Sequence, residues 1–184
     1  MNIGVLALQG AYQAHQRKIQ SLGVNCILVK TEEVLREVDA LILPGGESTT
    51  MTYLLQKHEL WQPLKKRVEE IPVFATCAGI ILLQKLGVLD IEIIRNGYGR
   101  QLESGVFPLE VDFEGKIEQV DGFFIRAPII HAINDPGITI MAYHVNTPVL
   151  IKKNKILAAT FHPELSQDST IHQYFIELIT SHIV

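Results

Sequence analysis

Short apolar runs alternate with polar, helix-like stretches through the first half of the chain. Ile3 to Leu8 is a nearly continuous apolar run ending at Gln9-Gly10, the pattern of a strand buried on both faces of a parallel sheet. A polar helical stretch from about Tyr12 to Leu22 follows, closed by Gly23. Cys26 to Val29 and Ala40 to Leu43 read as the second and third strands, with a charged helix-like segment, Thr31 to Glu37, between them. Leu43-Pro44-Gly45-Gly46-Glu47-Ser48 ends the third strand in a glycine turn, and Ser48 or Thr49 is the expected cap of a helix running toward Lys57. After a further helical segment, Pro72 to Thr76 reads as a fourth strand and Ala78 to Leu86 as a helix stopped by Gly87. This alternation predicts a doubly wound α/β layer.

The second half changes period. Val106 to Phe113, Ile117 to Ile125, Ile138 to Tyr143, Val149 to Ile151 and Ile156 to Phe161 are strand-like and separated by short turns, which predicts antiparallel additions to the same sheet. Ser169 to Ile183 places Ile171, Tyr174, Phe175, Leu178 and Ile179 at helical spacing, so the last segment is expected to be an amphipathic helix packed on the sheet. The expected fold is three-layer α/β, a flavodoxin-like mixed sheet with helices on both faces. With 184 residues, 47% of them hydrophobic, the chain is expected to form one domain over 1–184 with a full-sized core.

Charge and cysteine usage narrow the chemistry. A formal net charge of -4 argues against a nucleic-acid surface, and Lys152-Lys153-Asn154-Lys155, the richest basic run, reads as a solvated turn. The two cysteines, Cys26 and Cys77, show no Cys-x-x-Cys or Cys/His ligand spacing, so neither a disulfide framework nor a metal site is expected. The N-terminus lacks the basic start of a signal peptide and no apolar run is long enough to cross a membrane; a cytoplasmic protein without membrane association is the expectation.

Cys77 stands at the joint between the fourth strand and the following helix, with the small residues Ala78 and Gly79 behind it. A helix N-terminus favours a thiolate, and a tight strand-to-helix turn presents the side chain outward, as in the nucleophile elbow of hydrolases. Cys26, inside an apolar strand, is assigned instead as an ordinary buried thiol. Phe161-His162-Pro163-Glu164 follows a strand near the C-terminus. Proline biases the chain so that His162 and Glu164 project to one side, where a carboxylate holds one imidazole nitrogen and leaves the other for a thiol. Gly46 and Ala78 are the candidate backbone donors for an oxyanion. Of the other histidines, His15, His58, His172 and His182 fall on polar helical stretches and His131 and His144 near strands or loops; most are expected at the surface. Trp61 is expected to anchor packing.

These stretches resemble a known family, the glutaminase subunits of pyridoxal 5′-phosphate synthase, which are triad-type (class I) glutamine amidotransferases. The likeness runs through Gly4-Val5-Leu6-Ala7-Leu8-Gln9-Gly10-Ala11, Leu43 to Met51, Thr76-Cys77-Ala78-Gly79, Arg95-Asn96-Gly97-Tyr98-Gly99-Arg100-Gln101, Phe124-Ile125-Arg126-Ala127-Pro128 and Phe161 to Leu165. The resemblance implies a catalytic triad of Cys77, His162 and Glu164. It further implies an L-glutamine site at Gly46, Glu47, Ser48, Arg100, Ile125 and Arg126, no cofactor, and delivery of ammonia to a barrel-shaped synthase subunit in a hetero-oligomeric complex. Ala75 stands where the family elbow usually carries glycine, and Gly105 where phenylalanine is usual. A glutaminase serving an imidazole-forming synthase, a related α/β cysteine hydrolase or chaperone-like protein, and a subunit that kept the fold without turnover are the competing readings.

Overall fold

The structure, a computed structural model, describes residues 1–95 and 104–183. In chain order these form β1 (Asn2–Leu6), α1 (Tyr12–Ser21), β2 (Asn25–Val29), α2 (Glu32–Arg36), β3 (Ala40–Leu43), α3 (Ser48–Lys57), α4 (Trp61–Glu70), β4 (Val73–Thr76) and α5 (Ala78–Lys85). There follow β5 (Ile91–Ile94), β6 (Ser104–Phe113), β7 (Lys116–Ile125), β8 (Ile129–Ile133), β9 (Thr139–His144), β10 (Thr147–Lys153), β11 (Ile156–Ala159), a 3-10 turn (Pro163–Leu165) and α6 (Thr170–Ile183). Among the described residues the main sheet runs in the order β2-β1-β3-β4-β11-β10-β9-β6-β7. Its first five strands are parallel and the rest antiparallel.

The apolar runs of β3, β4 and β11 are buried at every position because helices cover both faces. Alternate side chains feed two cores. Leu41, Leu43, Val73 and Ala75 join Leu35, Leu55, Leu64 and Leu82 from α2, α3, α4 and α5 on one face. Ile3, Val5, Ile42 and Phe74 join Ile19 of α1 and Ile171, Phe175 and Ile179 of α6 on the other. The mixed sheet with helices on both faces is therefore present as expected. Trp61 packs against the first core, and Cys26 is buried, its thiol pushed up to about 11 by desolvation.

Several readings need correction. The cap of α3 is Glu47, not Ser48 or Thr49: its extended backbone turns the carboxylate back onto the amides of Thr49 and Thr50, and Ser48 opens the helix. A second, two-stranded antiparallel sheet of β5 and β8 was not foreseen; its Ile91 and Ile130 cover the first core. Lys152 and Lys153 are not free in solvent, since Lys152 pairs with Glu114 and Lys153 with Asp135. Finally, His15 and His172 are fully buried. No described helix is long and apolar enough to cross a membrane.

Candidate active site

The strand order places β1 between β2 and β3, so successive connections leave β1 in opposite directions and open a crevice at the carboxyl ends of β1 and β3. Gln9-Gly10 leaves one side of that crevice and Gly45-Gly46 the other. They are locked together: the Ala11 amide donates to the Gly45 carbonyl at 2.9 Å, and the Glu47 amide to Gln9 Oε1 at 2.9 Å. Gly10, at φ 96°, leaves no room for a side chain against that carbonyl.

Cys77 follows β4, next to β3 in the sheet. Its φ of 48° and ψ of -109° are strained for a residue with a Cβ, the price of swinging the thiol out at the mouth of α5. Two close approaches make the turn possible. Gly79 lies directly on the Leu43 carbonyl, and Gly45 leaves no space for a Cβ between His162 and Cys77. The Cys77 amide is not spent on α5; it donates to the Ala159 carbonyl of β11 at 2.9 Å. Ala75, in register with Leu43 and Ala158, is wholly buried, and the elbow forms over it.

His162 sits just beyond β11, its amide held by the Phe123 carbonyl at 2.8 Å. Its Nδ1 meets Glu164 Oε1 at 2.6 Å, and the ring shares the wall of one cavity with Cys77. Burial works against the imidazolium, but the hydrogen bonds and charges of Cys77 and Glu164 outweigh it and raise His162 to about 10. Burial likewise opposes the Glu164 carboxylate, yet His15, with the hydrogen bond and charge of His162, holds it below the ordinary range. The three side chains thus stand together, with Cys77 and Glu164 both favouring the imidazolium form of His162.

A cavity of about 430 Å³ opens here, walled by Gly46, Glu47, Ser48, Cys77, Ala78, Ile125, Arg126 and His162 among others. Every residue expected from the sequence to touch substrate lines it, except Arg100, which lies outside the described residues. Ser48 Oγ is buried with no hydrogen-bond partner, a polar group left for a ligand. Arg126 adopts a φ of 44° at the rim. The Glu47 carboxylate is already engaged, capping α3 and pairing with Arg95 at 2.8 Å. Its amide bonds lower that carboxylate to about 2, the Thr50 and Thr49 amides being the main cause.

Sequence reasoning missed Gln9, Arg95 and Ile81 in the lining. It also missed the pair behind Glu164: His15 Nε2 lies 3.4 Å from Glu164 Oε2 and 3.0 Å from Thr76 Oγ1, and His15 Nδ1 lies 3.0 Å from His172 Nε2. Among the described residues no cluster of His, Cys, Asp and Glu is arranged to hold a metal ion.

Known proteins are similar to this chain in sequence and fold. The model of the SNO glutamine amidotransferase family matches residues 5–181. Pyridoxal 5′-phosphate synthase subunit PdxT of Thermotoga neapolitana is 46% identical over 189 residues, covering 97% of this chain and 100% of that one. The protein of the same name from Francisella tularensis subsp. tularensis is 44% identical over 180 residues, covering 96% and 98%. A crystal structure described as a glutamine amidotransferase superposes with a TM-score of 0.89 at 40% identity, covering 97% and 98%. With a strained cysteine elbow, a His-Glu pair just beyond the adjoining strand and a family match over nearly its whole length, the chain belongs to the SNO glutamine amidotransferase family.

Proposed function

We propose that Cys77, His162 and Glu164 release ammonia from L-glutamine and that the ammonia passes to a separate synthase subunit. As a member of its family the chain is a glutaminase, hydrolysing L-glutamine to L-glutamate and ammonia through a cysteine thioester in the service of pyridoxal 5′-phosphate synthesis. The observation that carries the residue assignment is the 2.6 Å bond of Glu164 to His162, which shares the lining of the cavity with Cys77.

In this mechanism His162 accepts the Sγ proton and the thiolate attacks the side-chain amide carbon of glutamine. The amides of Gly46 and Ala78 receive the oxyanion, Ala78 being the first residue of α5, where helix amides have no intrahelical partner. His162 returns the proton to the departing nitrogen, the C–N bond breaks and ammonia leaves. Water, deprotonated by His162, then attacks the thioester; the C–S bond breaks and the thiolate recovers. Thiol, imidazole and water balance the reaction, so no cofactor enters it.

Glutamine is held, in this proposal, by Gly46, Glu47, Ser48, Ile125, Arg126 and Arg100. The buried, unpartnered Ser48 hydroxyl and the Arg126 guanidinium at the rim are donors suited to the substrate's α-carboxylate. The whole chain serves as one glutaminase domain, docked on a barrel-shaped synthase subunit in the cytoplasm, where a reducing environment keeps its two free cysteines as thiols. The names of the relatives, each a synthase subunit, support that partner.

The test is glutamate release by wild-type and Cys77→Ala chains, each with and without the synthase subunit. Wild type should release glutamate, faster with the subunit, and Cys77→Ala should release none in either case. Turnover surviving in Cys77→Ala would refute the nucleophile assignment.

A further inference from the structure

We propose that His15 is a positioning residue for the glutaminase reaction: its Nε2–H end, bonded to Thr76 Oγ1 and 3.4 Å from the second oxygen of Glu164, steadies that oxygen electrostatically, so that the first is held on His162. The inference rests on the glutaminase reading and extends it one residue deeper into the protein.

The contacts leave one consistent arrangement of protons. His172 Nδ1 is buried with no hydrogen-bond partner. A bare nitrogen there costs less than an N–H stranded away from water, so the His172 proton sits on Nε2. His172 Nε2 is 3.0 Å from His15 Nδ1, and that proton therefore points at Nδ1, which must accept it. A neutral His15 then carries its own proton on Nε2, facing Thr76 Oγ1 at 3.0 Å and Glu164 Oε2 at 3.4 Å. Its hydrogen bond runs to the Thr76 hydroxyl while its positive N–H end bears on the carboxylate. Thr76 immediately precedes Cys77, so one imidazole touches the neighbours of both nucleophile and base.

Neutrality is enforced by the surroundings. Burial pushes His15 down against the attraction of Glu164, and His162 pushes the same way; His172 is pushed well down, chiefly by burial. The ring is also held in place. Phe74 meets it edge-on at 6.0 Å, and Lys18, one turn along α1, donates to the carbonyls of Ser166 at 2.6 Å and Asp168 at 3.0 Å. That lysine clamps α1 to the loop that carries Glu164. Glu164 Oε2 is buried with no hydrogen-bond partner, so the His15 N–H end 3.4 Å away is what offsets its burial, and without it the carboxylate would be free to rotate away from His162.

The experiment compares His15→Gln, whose amide nitrogen can reach the Nε2 position, with His15→Phe, which fills the space without a donor. Two quantities are read in the full chain. The first is kcat and KM for glutamate release with the synthase subunit present. The second, in the absence of glutamine, is the downfield proton resonance of His162 Nδ1–H against Glu164. His15→Phe should lower kcat by about tenfold or more with KM unchanged, and move that resonance upfield or broaden it away, while His15→Gln keeps both near wild type. In a Glu164→Gln background the same two changes should no longer differ in kcat, because the effect passes through that carboxylate. If His15→Phe fails to fold, His15→Asn, too short to place its donor, replaces it. Equal kcat in the donor and non-donor variants, or a rise in KM alone, would overturn the proposal. The resonance is independent of turnover: an inactive wild type whose resonance still responds to His15→Phe would refute the glutaminase reading and bear out the positioning contact.

Discussion

Gly45→Ala is the substitution whose cost the structure fixes most directly. A Cβ at that position would stand 2.3 Å from Cε1 and 3.0 Å from Nδ1 of His162, and 3.2 Å from Cβ of Cys77. Ordinary carbon contacts begin near about 3.5 Å, so the imidazole must retreat by about 1 Å or the glycine turn must lift by as much. Neither motion is free. The ring is tethered by its 2.6 Å bond to Glu164, and the turn by the bond from the Ala11 amide to the Gly45 carbonyl. A displacement of about 1 Å at reacting groups costs on the order of 100-fold in rate, or about 2.7 kcal/mol of transition-state stabilisation. Steady-state glutamate release, with the synthase subunit present, should therefore show kcat down by about 100-fold while circular dichroism stays native. Gly79→Ala is the control: its Cβ would press into the Leu43 carbonyl, behind the site, so that change should lower the denaturation midpoint first. A Gly45→Ala chain with undiminished kcat would show that the imidazole has room the geometry denies it.

Four further outcomes follow from the same structure. Cys77→Gly should be inactive yet at least as stable as wild type in a denaturant titration, because relieving a φ of 48°, worth roughly 1–3 kcal/mol, offsets the roughly 0.5–1 kcal/mol of added chain freedom. His162, raised from 6.5 to about 10, contributes stability that is complete below pH 6.5 and lost as pH climbs through 10. The denaturation midpoints of wild type and His162→Gln should accordingly converge between those values. His15 and His172 have the opposite sign: lowered in the folded state, their contribution is complete above pH 6.5 and lost as pH falls below it, so His172→Leu should flatten the acid limb of the midpoint curve. Glu47→Ala, which removes the acceptor for the Thr49 and Thr50 amides, should cost about 1 kcal/mol of stability by the same titration.

What could be read from the chain and what could not divide along physical lines. β3, β4 and β11 announced themselves because continuous apolar runs bounded by glycine or proline admit few other structures. Cys77, His162 and Glu164 were legible because turn residues fix where they point. β5 and β8 were not: Ile91–Ile94 and Ile129–Ile133 are short, and their pairing depends on a contact between segments far apart in sequence. His15 and His172 were misplaced because their helices were judged by overall polarity. Each had a usable signal in its spacing, His15 lying four residues before buried Ile19 and His172 three before buried Phe175. The cap of α3 was misassigned because Glu47 reaches with a longer side chain than the usual capping residues.

The bond from the Cys77 amide to the Ala159 carbonyl has a mechanical consequence. Nucleophile and base ride on neighbouring parallel strands, β4 and β11, whose relative sliding would change their separation directly. The extra rung continues the ladder one residue past Thr76, onto the Ala159 carbonyl, and Thr160 and Phe161 carry the chain on to His162. Shear between the strands is therefore resisted at the very end where it would matter, and thermal distortion of the sheet moves sulfur and imidazole as one body. The spacing that sets the reaction rate is thereby insulated from deformations arriving through the rest of the sheet.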